Sequence, residues 1–355
     1  MKGLYFFLPV TIIALILIIR GTAFPEEKEK TMSYINFNPQ EESRYFLYPL
    51  TYYFNTAFDC SQVPDAFPEH DYFHNHTHVF NRISNPVKSI NDDGGWGKFF
   101  YDEVGSERAV PNYTLHLLGG GYDCRTLWEW YHYNGFPAPY LFAFLTTYLA
   151  HFGNEAIEYN NRYLSSHDHI ADLYIFDLAG NLLFLSDDVA RFFHDTLQMR
   201  NWTGQPVISL SDYNIKNAFT SYVFRPYLFG ETVRPFLYFG MSYMLGLSLR
   251  VDENNSFTMG AGIAVTKAFD ADNDTFHEYM RKIRVTGAVF WDKNDALLWS
   301  LMINGTEHYR LRLNMYPELF RTDYFNFGVY VALDDRNRFV FGISVYKVFG
   351  IGATL

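Results

Sequence analysis

The segment from Phe236 to Val251 constrains the fold most, because its side chains alternate in character along the chain. The odd-numbered residues are bulky and apolar, and the even-numbered ones from Gly240 to Arg250 are mainly small or polar. Successive side chains of a strand point to opposite faces. The pattern therefore predicts one long strand with an apolar face and a small, polar face.

Similar runs continue to the C-terminus and are joined by short polar turns. The Asn304-Gly305 pair is a strong signal for a two-residue hairpin. Consecutive hairpins make an antiparallel meander, and eight strands suffice to close it. The runs cover about residues 218–229, 234–251, 256–269, 281–292, 296–303, 308–316, 325–333 and 338–349.

The small residues indicate which face of this sheet lies inside. In a soluble barrel the bulky face fills the interior, whereas in an outer-membrane barrel the bulky face meets lipid and the small or polar face lines the lumen. The glycines of the runs fall on the non-bulky face, which favours the second arrangement. They are Gly240, Gly246, Gly260, Gly262, Gly328 and Gly342. We therefore expect an α+β protein, with an N-terminal helical module followed by an antiparallel, about eight-stranded β-barrel of outer-membrane type.

The N-terminus predicts export. A short basic start is followed by the apolar run Leu4 to Ile19 and by Gly21-Thr22-Ala23, which is the pattern of a secretory signal peptide cleaved after Ala23. An uncleaved anchor is the alternative. The predicted organisation is a signal peptide at 1–23, an irregular lead at 24–110, a helical module at 111–204 and the barrel at 205–355.

Net charge bears on the binding partners of the protein, and the cysteine content bears on a disulfide. The formal net charge is −11 and no basic run occurs, which argues against a nucleic-acid partner. Outer-membrane lipid, and other proteins of the envelope, are the partners that we expect. The two cysteines, Cys60 and Cys124, allow either one disulfide or two buried thiols.

The helical module carries the candidate chemistry. A helix begins near Asn112, a break follows at 134–137, and a second helix is predicted from about Tyr140 to Tyr159. His151, Glu155 and Glu158 lie at i, i+4 and i+7 and form one stripe of that second helix.

Burying an imidazole or a carboxylate in an apolar module raises the free energy of the folded protein unless the group is paired. Side chains that are kept in spite of this cost are often functional. Together they could carry acid–base or metal chemistry. The alternative is that Glu155 or Glu158 pairs with Arg125 or Arg162. The candidate catalytic residues are His116, His151, Glu155, Glu158, Asp172 and Asp177.

A second candidate site is the histidine-rich stretch between residues 70 and 78. If it is extended, His74, His76 and His78 lie on one face and could bind a divalent transition metal. The alternative is a polar surface loop with three solvated histidines.

Part of the chain resembles a family of uncharacterised bacterial exported proteins that are expected to reach the outer membrane. The resemblance covers about Trp96 to Phe184 and depends on the stretch NYTLHLLGGGY, on Asn134-Gly135, on the Glu-bearing helix and on the Ser166, Asp172 and DLAGN segment. The chain departs from the family at Leu117, where proline is usual. The resemblance implies an exported protein with a strand-rich C-terminal region, and it implies no activity or cofactor.

Two functions remain open from the sequence. The first is a structural or binding role, in which an outer-membrane barrel anchors a periplasmic helical module in the cell envelope. The second is a membrane-embedded hydrolase or transferase that acts on lipid or envelope material through the His/Glu/Asp site. No cofactor is identified by the sequence.

Overall fold

The computed structural model describes residues 32–38, 48–64, 72–106, 109–159, 166–266, 282–320, 326–345 and 350–354. These residues form two compact units. The helical unit comprises the described residues within 1–40 and 67–191, and the sheet unit those within 41–66 and 192–355. The predicted signal peptide at 1–23 lies outside the described residues.

Helices dominate the first unit and also occupy much of the region that was expected to be irregular. Over the described ranges, every helix is too short or too polar to cross a bilayer. Four π-helical segments, Tyr101–Gly105, Asn112–Gly120, Asp172–Phe176 and Phe192–Thr196, adjoin α-helices, and a 3₁₀ turn spans Asp59–Gln62. The α-helices are α1 (Pro49–Ala57), α2 (Tyr72–Ile83), α3 (Pro86–Asp92), α4 (Gly95–Phe100), α5 (Gly121–Tyr133), α6 (Pro139–Glu158), α7 (Ser166–Ala171), α8 (Asp177–Leu183) and α9 (Asp187–Arg191).

Helix α6 confirms the prediction for the second helix. It starts with Pro139 at its first position, where the missing N–H costs nothing. The preceding break contains Gly135, which has a φ of 71° and ends the helical path after α5. The apolar core of the unit includes Val79, Ile90 and Phe99 from α2 to α4, together with residues of α7 and the π-helical segment after it.

The strands of the described residues form one sheet in the order β1-β4-β5-β6-β7-β8-β9-β10-β11-β12-β13-β2-β3. Neighbours are antiparallel except β13 and β2, which run parallel. The strands are β1 (Arg200–Asn201), β2 (Val207–Ser209), β3 (Ile215–Lys216), β4 (Ser221–Phe224), β5 (Val233–Gly240), β6 (Ser242–Arg250), β7 (Asn255–Val265), β8 (Ile283–Lys293), β9 (Ala296–Ile303), β10 (Tyr309–Met315), β11 (Phe327–Asp334), β12 (Phe339–Val345) and β13 (Gly350–Thr354).

The predicted eight-stranded closed barrel is wrong. Within the described part of the chain, the sheet has thirteen strands and is not closed, with β1 and β3 at the two ends of the strand order. The α+β composition and the antiparallel meander are present, and six of the predicted runs correspond to β7 to β12. The extra strands were missed because β1, β2 and β3 have two or three residues, and β13 is short and rich in glycine.

The long strand predicted over 236–251 is instead a tight hairpin. Strands β5 and β6 pair antiparallel across it, with Leu237 opposite Leu245 and Tyr238 opposite Met244. Odd-numbered residues pair with odd-numbered ones and even-numbered with even-numbered ones. The apolar residues therefore stay at odd positions on both strands of the hairpin. Parity alone therefore could not distinguish one strand from two.

The two faces of the sheet have inverted polarity, as the glycine pattern predicted. In β12, Phe339, Phe341 and Ile343 are exposed, and Gly342 and Ser344 between them are buried. In β6, Leu245 is 71% exposed, whereas Ser248 is fully buried. These bulky side chains therefore face outward, whereas the inner face combines small and polar residues with an apolar core that includes Phe236, Met244 and Phe290.

The outward residues form three continuous rows, two across β6 to β13 and one across β6 to β12, which we call the apolar belt. Neighbours in a row are directly opposite each other on adjacent strands. All of these residues are exposed or half-buried, and none is charged. One row is Leu247, Met259, Val289, Leu301, Leu313, Val331, Phe341 and Ala353. The next is Leu249, Phe257, Trp291, Trp299, Met315, Val329, Ile343 and Ile351. A third is Leu245, Ala261, Gly287, Ile303, Leu311, Leu333 and Phe339.

The inward face of the sheet unit is filled by polar and aromatic groups and by α1. Every residue of α1 is buried. Its Asn55 donates from Nδ2 to the carbonyl oxygen of Gly204 at 3.0 Å and accepts from the Phe219 N–H at 3.2 Å. Part of the lead that was predicted to be irregular, 24–110, is thus a buried helix. Cys60 in the 3₁₀ turn and Cys124 in α5 are buried thiols rather than a disulfide.

A buried ion pair stabilises the inner face. Arg225 is fully buried, and its guanidinium donates to both oxygens of Asp292 at 2.6 and 3.2 Å and to Asp295 at 2.5 Å. It also lies 4.5 Å from the ring centroid of Trp202. Burial raises the pKa of Asp292 and Arg225 opposes that effect, so the guanidinium helps to keep this carboxylate ionised.

We therefore expect Asp292→Ala to destabilise the sheet unit by about 3 kcal/mol, because it removes one anion from a buried guanidinium. The matched control is Glu231→Ala, which removes an exposed partner of Arg250 and should change the free energy of unfolding by less than about 0.5 kcal/mol. Urea unfolding curves measure both. Equal midpoints for the two variants would contradict the assignment.

Candidate functional site

Five polar residues meet in the interior of the helical unit, and we call them the His–carboxylate cluster. His116 comes from the π-helical segment Asn112–Gly120, and His151 and Glu155 lie one turn apart on α6. Asp172 begins the π-helical segment Asp172–Phe176, and Asp177 begins α8. All five are buried. Buried groups of this kind are costly unless they are paired or bind a ligand.

Glycines allow the helices around the cluster to approach closely. A Cβ atom added at Gly180 of α8 would collide with the carbonyl oxygen of Leu117, and one added at Gly121 would lie 2.6 Å from the carbonyl oxygen of Gly180. A Cβ at Gly120 would lie 2.7 Å from the His151 ring. The backbone around His116 can therefore rest directly on α8, which brings the His116 ring to Asp177.

The π-helical turn places Asp172 and Asp177 on the same side. In a regular α-helix, residues five apart point about 140° away from each other. A π-helical turn bonds each residue to the one five positions on, so these two side chains come to one face. Both contact His116, with Asp177 Oδ1 2.9 Å from Nδ1 and Asp172 Oδ2 3.4 Å from Nε2.

Asp177 joins the two histidines. Its Oδ1 atom accepts hydrogen bonds from Nδ1 of His116 at 2.9 Å and from Nδ1 of His151 at 2.7 Å. Burial raises the pKa of Asp177, but the two histidines outweigh this effect and hold that pKa below its usual value. Asp177 is thus an ionised carboxylate that orients both rings and leaves Nε2 as the second nitrogen of each.

Glu155 and Asp172 form the other half of the cluster. An oxygen of one carboxyl group lies within 4.8 Å of an oxygen of the other. Burial, followed by nearby carboxylates, raises the pKa of each well above its usual value. Two adjacent buried carboxylates cannot both stay ionised without a shared proton or a cation.

His169 of α7 supports this pair. Its Nδ1 atom lies 2.6 Å from Glu155 Oε2. Burial lowers the pKa of His169 to about 3, so the neutral ring donates its Nδ1 proton to Glu155.

Several atoms of this region have no hydrogen-bond partner within the described protein. They include one carboxylate oxygen each of Glu155, Asp172 and Asp177, and the Nε2 atom of His169. Each unmade hydrogen bond of a buried polar atom costs roughly 1–3 kcal/mol. Buried acceptors left in this state make the cluster a candidate binding site.

The structure brings together five of the six residues that the sequence proposed as catalytic. Glu158 is the exception, because it is only half-buried at the end of α6 and acts on the cluster through its charge. The alternative partner Arg125 instead donates to Glu129 at 2.6 Å and to Asp187 at 2.7 Å. Arg162 lies outside the described residues.

The three histidines proposed as metal ligands do not share one face. They lie on α2 rather than on an extended segment, so His74 and His78 are one turn apart and His76 points elsewhere. His78 stacks on Tyr159 at 4.0 Å between ring centroids, and His76 contacts Phe152 edge-on. Among the described residues, the groups arranged to hold a metal ion do not include these three.

Sequence reasoning missed His169 as a member of the site. The available signal was its spacing, since His169 and Asp172 lie three residues apart on one helical path. A neighbouring group was also missed, in which His167 Nδ1 lies 3.8 Å from Asp102 Oδ2 and Glu103 is close by.

Comparisons of the chain with protein families, curated proteins and solved structures found no match. The chemistry of the cluster therefore has to follow from its own geometry.

We expect Gly180→Ala to destabilise the helical unit by about 1–3 kcal/mol, because the new methyl group must push α8 away from the Leu117 carbonyl. Gly97→Ala is the control, since a Cβ at this exposed position of α4 meets no atom within 4 Å. It should be neutral or stabilise slightly. Thermal unfolding measures both, and an unchanged Gly180→Ala protein would contradict the close approach.

Proposed function

We propose that the protein is a lipid-associated hydrolase or transferase whose reaction centre is the His–carboxylate cluster. The observation that carries this proposal is the convergence of His116, Glu155 and Asp172, with three potential ligand or proton-transfer atoms within 4.8 Å of one another in a buried site. Structural ion pairs usually neutralise each other, whereas this set keeps unpartnered acceptor oxygens.

The geometry suggests separate roles within the cluster. Asp177 fixes the His151 ring through Nδ1 at 2.7 Å, so Nε2 can accept a proton as a general base. Glu155 and Asp172, neutralised between them by a proton or a cation, can polarise a substrate oxygen or a water molecule. A base beside an electrophilic group is the requirement for hydrolysis or acyl transfer.

The apolar belt supports a lipid environment for this activity. Its rows expose leucine, isoleucine, phenylalanine and tryptophan side chains, while charged residues such as Arg225 and Asp292 lie on the inner face. Folded proteins that face water on all sides rarely expose apolar patches of more than a few hundred Å². Hydrocarbon is the environment in which this inverted polarity lowers the free energy. The predicted signal peptide agrees with a place in the cell envelope.

A second candidate function, a purely structural or binding role in the envelope, is favoured by the belt alone. It would need lipid contact and no turnover. The two candidates therefore differ in the role of the cluster and agree on the role of the sheet.

For the catalytic proposal, we expect Asp177→Asn to lower kcat by about a hundredfold or more, because the neutral amide removes the negative charge that orients both histidines and stabilises their protonated forms. Asp188→Asn, an exposed acidic position of α9 in the same unit, is the control and should leave kcat unchanged. Turnover of carboxylic esters and phosphodiesters presented in vesicles and in solution measures both. Absence of turnover by the wild-type protein, or equal rates for both variants, would favour the binding role.

For the lipid contact, we expect Leu247→Glu to reduce the fraction of protein bound to phosphatidylcholine vesicles by about tenfold, because a charge within the belt must lose its hydration. Asn254→Glu adds the same charge at an exposed turn and should bind as the wild type does. Vesicle flotation measures the bound fraction. Full binding by Leu247→Glu would exclude the belt as the lipid-facing surface.

A further inference from the structure

We propose that the helical unit binds one divalent transition-metal ion between His116 Nε2 and the carboxylates of Glu155 and Asp172. The ligand atoms of these residues lie within 4.8 Å of one another, and His116 Nε2 is 3.4 Å from Asp172 Oδ2. Two ligands bound to zinc at about 2.0–2.1 Å and at a tetrahedral angle lie about 3.4 Å apart. The inference names a cofactor for the proposed reaction centre, but it does not require turnover.

The unpartnered oxygens are an independent reason to expect a ligand here. Glu155 is fully buried and Asp172 is 3% exposed. One oxygen of each carboxylate has no hydrogen-bond partner in the described protein. A cation between the two side chains would coordinate these acceptors and remove the cost of burying them.

Charge and ligand type define the class of ion. Two carboxylates supply two negative charges, which balance a divalent cation. One imidazole nitrogen with two carboxylate oxygens suits Zn²⁺, Mn²⁺ or Fe²⁺, whereas Ca²⁺ and Mg²⁺ prefer oxygen ligands alone.

The residues behind the ligands have the arrangement that metal sites need. His116 donates its other ring nitrogen, Nδ1, to Asp177, which fixes the tautomer and aims Nε2 at the ion. Glu155 is held in the same way by His169 at 2.6 Å. Asp177 and His169 are therefore positioning residues rather than ligands.

The number of ligands suggests a catalytic rather than a structural ion. Structural zinc sites usually have four protein ligands, whereas catalytic sites have three and leave a position for water or substrate. His116, Glu155 and Asp172 supply three. His151, which shares Asp177 with His116, lies next to this set.

The test is isothermal titration of the full-length, chelator-treated protein with Zn²⁺ and with Mn²⁺. We expect one ion per chain for at least one of the metals. Asp172→Asn and Glu155→Gln should each weaken binding at least a hundredfold, and Asp177→Asn, which disturbs the orientation of His116, about 10- to 100-fold. The control is the triple variant His74→Ala, His76→Ala, His78→Ala, which should bind as the wild type does.

Loss of binding in the triple variant, or wild-type affinity in Asp172→Asn, would overturn the site. So would failure of the wild-type protein to bind either metal.

If the cluster variants do not fold, X-ray absorption spectroscopy of the metal-loaded wild type identifies the ligands of the ion instead. A shell of nitrogen and oxygen ligands with a single imidazole is expected, and two or more imidazoles would contradict it. Metal binding without turnover would overturn the proposed enzyme and leave the metal site standing.

Discussion

Two carboxyl groups buried side by side set the conditions for the whole helical unit. Glu155 and Asp172 are almost inaccessible to solvent, and their carboxyl groups lie within 4.8 Å of each other, so their charges must be compensated from within. His116 and His169 approach them from the π-helical segment and from α7, and Asp177 holds His116 in place. The glycine contacts between the Asn112–Gly120 segment, α5 and α8 are what allow such close packing. The local fold is therefore shaped by the need to keep several polar groups together in an apolar interior.

The sheet unit also buries polar groups, but its outer face is apolar. Arg225 and Asp292 neutralise each other on the inner face, where glycines also leave room for large rings; a Cβ at Gly260 would lie 2.9 Å from the Phe236 ring. The outer face carries the continuous rows of the apolar belt. The inner face buries these ions, whereas the outer face exposes leucine and other apolar residues. The proposed contact with lipid rests on this arrangement.

The sequence predicted features that depend on local periodicity. The stripe of His151 and Glu155 followed from the 3.6-residue repeat of α6, and the outward orientation of the bulky strand residues followed from alternation. Features that depend on departures from a regular repeat were not predictable. The π-helical turn brings Asp172 and Asp177 together against α-helical spacing. The hairpin at 240–242 preserves parity and so looked like one strand, and pairings such as β13 with β2 join segments far apart in the chain. The predicted closed barrel failed for this last reason, because strand count and closure are set by long-range pairing.

The proposed metal site of the His–carboxylate cluster consists of one histidine and two carboxylates. The most direct measurement is anomalous diffraction at the manganese or zinc edge from crystals of the full chain grown with that metal. A metal ion at this site should give one strong peak about 2.0–2.2 Å from His116 Nε2 and from oxygens of Glu155 and Asp172. A cluster without a peak, or a peak only at the histidines of α2, would contradict it.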